Sequence, residues 1–499
     1  MRKWLPLLAI CLGSFMLLID VTIVNVALPA MATDLSSSFA ALQWVIDAYA
    51  LVLAALLLGF GSLADALGHR RTYVLGLVVF SVASCVCGAA VNPAMLIAAR
   101  ALQGGGGAAM FATTFGLLSS AYTGRDRGTA FGVWGAVSGA ASAVGPVLGG
   151  VLTQTISWRW IFLVNAPIGV ATVLMTLAVI TAPKAGGHRR IDVAGTLVFA
   201  VAAGMLTFAI TRAGDDGWAS PVVLGCLVVA VLAFVAFLIV ESRVAAPMIT
   251  LSLFGRRVFG GTVGAAFALS FAGFGALTYA VIWAQTMLGL SPIQAGLVCL
   301  PLPVFSATLS PLSGRFMQQV PRGLAIGGGL GLIGAGGLLS AVLISIDANW
   351  PSLLPGLALI GIGCGVSVPV MAAAATSDVG DDRAGVASGA INTARQLGQA
   401  LGIAVLGNLA AAAATSTLRG DGVTDPARTA SRVIGGGAGA VLSRHADLAR
   451  ALQEAFAAGL TLAYVVSGAV ALVAAVGAGW LVRTRRPAHV PDESTFARS

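Results

Sequence analysis

The stretch Leu17-Leu-Ile-Asp20-Val-Thr-Ile-Val-Asn25-Val-Ala-Leu-Pro29 decides how the rest of the chain reads. It lies inside an apolar run that starts near Leu5 and continues past Pro29, long enough to cross a bilayer as a helix. One carboxylate, Asp20, interrupts it. Insertion scales put a charge at that depth at about 2.5–3.5 kcal/mol. Intramembrane acids therefore face a cavity and serve transport, or bond a neighbouring helix as structural glue. Asp20 reads as a proton or cation carrier in the first case and as a packing residue in the second.

The composition supports a membrane solvent. Of 499 residues, 58% are hydrophobic and 9% charged, and the mean hydropathy is +0.94. A soluble domain carries about a quarter charged residues, so lipid must face this much apolar surface. The net charge of +9 comes from arginines between the apolar runs and calls for no nucleic-acid partner. The cysteines (Cys11, Cys85, Cys87, Cys226, Cys299, Cys364) fall in apolar segments without metal-ligand spacing and read as small buried residues. Arg2-Lys3 and the following run resemble a signal peptide, but the run is too long and Asp20 breaks it, so it reads as a retained first helix.

Apolar runs bounded by charge or Gly/Pro give fourteen spans: 6–31, 42–64, 72–91, 94–121, 129–152, 160–182, 192–213, 221–240, 258–285, 293–317, 323–345, 352–376, 385–412 and 459–482. With the amino terminus inside, most arginines collect in cytoplasmic segments, whereas the short outer loops keep Arg159 and Arg212. The positive-inside rule then puts both termini in the cytoplasm of a multi-pass protein of the cell membrane. A long outer segment, 413–458, ends in an amphipathic stretch from Arg444 to Ala458 that reads as a surface helix, with Leu448, Leu452 and Phe456 on one line. Gly61-Ser-Leu-Ala-Asp65 ends the second span and Gly314-Arg-Phe-Met-Gln318 the tenth. Two six-helix repeats with two helices inserted between them place these segments equivalently. The division is 1–183, 184–245 and 246–499, an all-α polytopic fold.

Several constellations carry chemistry. The loop Gly61-Ser-Leu-Ala-Asp65-Ala-Leu-Gly68-His-Arg70-Arg71 turns tightly at its glycines, and Asp65 can cap a helix or pair with Arg, as a gating loop would. In the fourth span Arg100, Gln103, Gly104 and Gly107 share a face. Arg100 lies about 10 Å and Asp20 about 13 Å from the outer ends of their spans at 1.5 Å per residue, so the two charges match in depth. In the fifth span Gly135, Gly139, Gly145-Pro146 and Gly149-Gly150 form a small-residue seam. Trp158-Arg-Trp160-Ile-Phe-Leu-Val-Asn165 opens the sixth, with both tryptophans fitting an interfacial belt and Asn165 lining a cavity or bonding a neighbour. Gly385-Val-Ala-Ser-Gly389-Ala-Ile-Asn392-Thr-Ala-Arg395-Gln396 opens the thirteenth, where Arg395 faces the cavity or the inner gate. Asn25, Trp44, Asp47, Gln103, Asn165, Asn392, Arg395 and Gln396 are the candidate substrate-cavity residues, and Asp47 is the second candidate acid.

These motifs resemble the major facilitator superfamily, and most closely its fourteen-span drug:proton antiporters, over nearly the whole chain. Ala66 and His69 stand where that family favours arginine, which implies a looser latch at the gating loop. The resemblance implies that Asp20 and Arg100 couple protons, and that the Gly145-Pro146/Gly149-Gly150 pattern marks an antiporter. It implies a monomeric exporter of small lipophilic compounds in the bilayer, driven by protons and without a cofactor or metal. An importer of a small metabolite is the alternative. An enzyme is disfavoured, because His69, His188, His445 and His489 lie in loops or the tail, away from any intramembrane nucleophile. No GxxxxGK[ST] occurs, which excludes a P-loop ATP-driven pump.

Overall fold

A computed structural model describes residues 2–37, 39–181, 192–244, 247, 251–316, 320–379, 383–421, 423–438, 441 and 448–482. Among these, every regular element is helical: α1 (Leu5–Asp34), α2 (Phe39–Leu67), α3 (His69–Gly88), α4 (Pro93–Ala121), α5 (Gly124–Thr155), α6 (Trp160–Leu163), α7 (Asn165–Val179), α8 (Val193–Asp216), α9 (Pro221–Arg243), α10 (Ser252–Gly255), α11 (Arg257–Thr286), α12 (Pro292–Val298), α13 (Pro301–Phe316), α14 (Arg322–Leu343), α15 (Leu354–Val379), α16 (Ala384–Gly420), α17 (Pro426–Arg432) and α18 (Ala449–Leu481). Local chemistry sets many starts. Asn92 accepts from the Met95 amide at 2.8 Å with Pro93 following, and Ser291 and Gln294 form a reciprocal capping box ahead of α12. Gly68 turns the chain between α2 and α3 at φ 97°, a conformation that costs glycine little.

Among the described residues, eleven helical segments, with α6 and α7 counted as one, are long and apolar enough to cross a membrane. The expected spans 94–121, 129–152 and 293–317 are not among them. The helices α4 and α5 have the length, but glycines, polar residues and buried or terminal charges dilute their apolar character. The third is divided into α12 and α13 by a turn at Cys299-Leu300.

The two halves repeat one packing scheme. In the first, α1 packs on α5 and α7, α2 and α3 pack on α4, and α3 packs on α7. In the second, α11 packs on α16 and α18, α13 and α14 pack on α15, and α14 packs on α18. The helices α8 and α9 pair with each other, and α8 leans on α2 and α16 at the border between the halves. Only 17% of the apolar window of α9 is buried, so its Val228 and Leu232 face outward as lipid-facing residues do. Lipid solvates such side chains as well as a core does, so close packing and polar contacts must hold the helices together.

Glycines make that packing close where the halves meet. A Cβ on Gly61 of α2 would stand 2.5 Å from the Gly385 carbonyl oxygen of α16, and one on Gly132 of α5 would stand 2.5 Å from the Ser310 carbonyl oxygen of α13. Both seams lie toward the end of the molecule that carries the α2–α3, α4–α5 and α15–α16 junctions, here termed the basic end.

Four expectations are corrected. The stretch read as a separate surface helix up to Ala458 is, from Ala449 on, the first turns of α18, and its Leu452 and Phe456 are fully buried. Their apolar line faces protein, because α16 continues to Gly420 beside it. Trp158 is no interfacial anchor. It is 3% exposed and donates its Nε1 to Asp34 at 3.1 Å, whereas Trp160 is 45% exposed. His69 begins α3 instead of lying in a loop, and Cys85 is exposed. The other histidines, His188, His445 and His489, lie outside the described residues.

Two predictions follow from these contacts. Gly61→Val places methyl groups against the α16 backbone, an overpacking that costs about 1–3 kcal/mol. It should lower the thermal midpoint of the purified protein and weaken cysteine cross-linking between the α2 and α16 ends; unchanged cross-linking would show that the approach is not obligatory. The second concerns Asp34, whose carboxyl is held below the usual carboxylate range by hydrogen bonds from Arg159 and then Trp158. A depressed folded-state pKa stabilises above the unfolded value of about 3.9 and loses that contribution as pH falls through the folded value. The pair is part-exposed, so the effect is small. Asp34→Asn should lower the unfolding temperature slightly at neutral pH, and the gap to the native chain should close as pH falls through the depressed folded-state value.

Candidate functional site

The centre of the first half holds a closed polar network. Asp20 on α1 is 0% exposed and Arg100 on α4 is 1% exposed. The Arg100 Nη1 donates to Asp20 Oδ2 at 2.5 Å and to Gln103 Oε1 at 2.8 Å, and its Nε donates to the Val45 carbonyl at 2.9 Å. Gln103 sits one turn along α4 on the same face, so its Nε2 reaches Asp20 Oδ1 at 2.8 Å and Ser84 Oγ of α3 at 2.8 Å. Asn165, the first residue of α7, donates its Nδ2 to Asp20 Oδ1 at 3.1 Å. The short break between α6 and α7 at Val164 aims it there. Three donors thus meet one carboxylate, and rings close over the cation: Arg100 Cζ lies 4.2 Å from the Tyr49 ring centre and 5.7 Å from that of Phe162.

A small cavity of about 70 Å³ lies between the halves. Leu18, two residues from Asp20, borders it, as do Phe111, Trp134 and Gly139 from the first half and Phe274 and Arg395 from the second. The Trp134 indole N–H is already used by Ser14 Oγ at 3.0 Å, and its ring is buried edge-on against Phe115.

At the basic end Asp65 joins the halves. Its Oδ1 accepts from the Gly385 amide at 2.8 Å and its Oδ2 from the Val386 amide at 3.0 Å. Those amides open α16, whose own N-cap residue Arg383 makes no side-chain cap bond. Asp65 therefore caps a helix of the other half, with the helix dipole adding to the attraction. His69 Nε2 lies 3.3 Å from the same carboxylate, filling the position discussed for a family arginine. Arg70 donates to the Leu177 carbonyl at 2.7 Å, and Arg71 is exposed.

The candidate residues thus separate by place. Gln103 and Asn165 belong to the closed network and do not line the cavity. Trp44 packs on Phe208 of α8 at 5.5 Å, and half-buried Asp47 on α2 is not among the lining residues. Asn392 is buried and donates to the Phe111 carbonyl at 3.5 Å, a bond between the halves, while Gln396 is half-buried beside it. The side chains of Asn25, Pro146 and Arg315 lie outside the described residues. A Cβ on Gly145 would fall within bonding distance of Thr22, and one on Gly149 would stand 2.8 Å from Ile23, so that part of α5 packs tightly on α1. Gly150 is buried as well. Sequence reasoning missed Ser84, Tyr49 and Phe162, which no spacing distinguishes from ordinary span residues. Among the described residues no cluster of metal-binding side chains occurs.

Comparison with known proteins places this architecture. The chain is 36% identical to the methylenomycin A resistance protein of Bacillus subtilis over 80% of its length and 86% of that protein's. It is 36% identical to a puromycin resistance protein of Streptomyces alboniger over 87% of each chain. Identity to the tetracenomycin C resistance and export protein of Streptomyces glaucescens is 32%, over 99% of this chain and 94% of the relative. Among solved structures, the human organic anion transporter MFSD10 (TETRAN) superposes with a TM-score of 0.63 at 15% identity, over 95% of this chain and 99% of that one, a likeness of fold. The sequence model of the Major Facilitator Superfamily matches residues 10–403, and with the repeated packing scheme this makes the chain a member of that superfamily of multi-pass membrane transporters.

Proposed function

We propose that the protein exports lipophilic antibiotic-like compounds across the cytoplasmic membrane in exchange for protons, as a monomeric carrier with no cofactor and no catalytic reaction. The relatives named for antibiotic resistance and export support the direction and the substrate class. In this reading fourteen spans cross the bilayer, with α4, α5 and the α12–α13 pair added to the eleven apolar segments and the basic end in the cytoplasm. The observation that carries the proton coupling is Asp20, a buried carboxylate with three side-chain donors, two residues from the cavity-lining Leu18.

The coupling follows from what a proton does to that network. Arg100 holds Asp20 through its negative charge, and protonation removes the charge while leaving the guanidinium in place. Separation of α1 from α4 then no longer strands a carboxylate in the protein interior, so proton uptake and helix movement favour each other. Asp65 supports a latch at the basic end: releasing its bonds to the start of α16 allows the halves to part there. One proton entering down 100 mV supplies about 2.3 kcal/mol from the potential alone.

Asp20→Asn preserves size and removes the titrating group. In energised everted vesicles it should reduce proton-driven accumulation of a substrate antibiotic by at least an order of magnitude, while facilitated exchange without a gradient persists. Uphill transport at the native rate would move the coupling site elsewhere, with Asp47 next to test. The orientation is checked separately, on a background freed of the six native cysteines. A cysteine at Ala219, between α8 and α9, should react with impermeant maleimide in intact cells, and one at Thr123, between α4 and α5, should not. The reverse pattern would invert the topology.

A further inference from the structure

Half-buried Arg395 differs from the fully buried Arg100. Arg100 has Asp20, but no hydrogen bond, ion pair or aromatic ring meets Arg395 among the described residues, and its Nε is buried without a partner. It lies eleven residues into α16, about 16 Å from the helix start at 1.5 Å per residue, and borders the central cavity. No carboxylate is among the residues that line that cavity. Its walls are apolar and aromatic, from Phe111, Trp134, Phe274 and Leu302, and Asp20 is already engaged by Arg100. An uncompensated cation in such a place costs free energy that an anion of opposite shape would offset, with two parallel N–H bonds to a planar oxyanion.

We propose that this cavity binds organic anions, with the carboxylate, sulfonate or enolate of an aromatic or polycyclic compound on the Arg395 guanidinium and its ring system against Phe274. The inference rests on the exporter reading for the direction of travel, but binding can be measured without it. The cavity as it stands encloses only about 70 Å³, so a drug-sized molecule enters it as the halves part. Guanidinium on one side and rings on the other select an amphipathic anion over a neutral or cationic compound with the same ring system.

Three probes with one ring system separate the possibilities: 1-pyrenebutyrate, its methyl ester, and a pyrenylbutyl trimethylammonium salt. Binding to the full-length protein in nanodiscs is read by energy transfer from tryptophan to pyrene and by equilibrium dialysis. The native chain should bind the anion at least tenfold more tightly than the ester, and the cation more weakly still. Arg395→Gln should remove that preference and leave ester affinity within about twofold, and Arg395→Lys should restore part of it. Retained ester binding shows that the Gln variant is folded, and a variant that binds no ester is judged by the Lys variant alone. Equal or tighter binding of the ester or the cation to the native chain overturns the proposal. So does an anion preference that survives Arg395→Gln or fails to survive Arg395→Lys, and so does an absence of anion binding. Export of the three probes from energised vesicles is scored separately. Anion binding without export leaves this assignment standing and defeats the exporter reading, whereas export of the cation with no anion binding does the reverse.

Discussion

A guanidinium and a carboxylate that see no solvent hold α1 against α4, and the first half of the molecule is arranged around that pair. Such pairs rarely stabilise on their own account, because desolvating two ions cancels much of their attraction. This one is completed by neutral groups: Gln103 bridges both ions, Asn165 adds a donor, and Tyr49 covers the cation. Losing one member strands the others, at about 3–5 kcal/mol for a broken buried pair. The network is thus stable closed and costly half-open, the energetic form of a two-position element.

Movement between positions also needs surfaces that part without tearing interdigitated side chains. The seams between the halves provide that. Where α2 meets α16 and α5 meets α13, glycine lies against backbone carbonyls, so the helices approach closely there without a side chain between them. Strong polar bonds between the halves are few among the described residues, with Asp65 to the α16 amides and Ser388 and Asn392 to the Phe111 carbonyl the main ones. Asp65 is the more telling, since α16 lacks a cap of its own and depends on the other half to satisfy its first amides. Separation at this end exposes those amides to water, which can replace the bonds.

The sequence made much of this legible because hydropathy and charge are the quantities a bilayer selects. The helices, their order, the Asp20–Arg100 match in depth and the charged turn at Asp65 all leave one-dimensional traces. What stayed hidden depends on rotation about a helix axis and on which helix stands opposite. Ser84 is a serine in an apolar span until Gln103 and Asn165 turn toward it. Leu452 and Phe456 form the same stripe whether they face a membrane surface or the flank of α16. Trp158 looked interfacial by composition, yet Asp34 draws its N–H inward. The α12–α13 break left no apolar gap to read, because the residues around Cys299 remain hydrophobic through the turn.

The two deep arginines show how one residue type takes opposite parts. Both lie on long helices; in sequence Arg100 reads as the depth-matched partner of Asp20, and Arg395 as facing the cavity or the inner gate. Arg100 has a carboxylate across from it and a glutamine one turn away, so its charge is consumed within the first half, beneath the Tyr49 and Phe162 rings. Arg395 has a thiol-bearing helix and aromatic walls as neighbours, and its charge is spent on nothing described in the protein. The halves therefore contribute differently despite their common packing scheme. One holds a neutralised pair whose state a proton can change, and the other presents a fixed positive charge to whatever enters between them. Under the proposed proton coupling and anion binding, the driving ion and the bound molecule sit on opposite sides of a single seam.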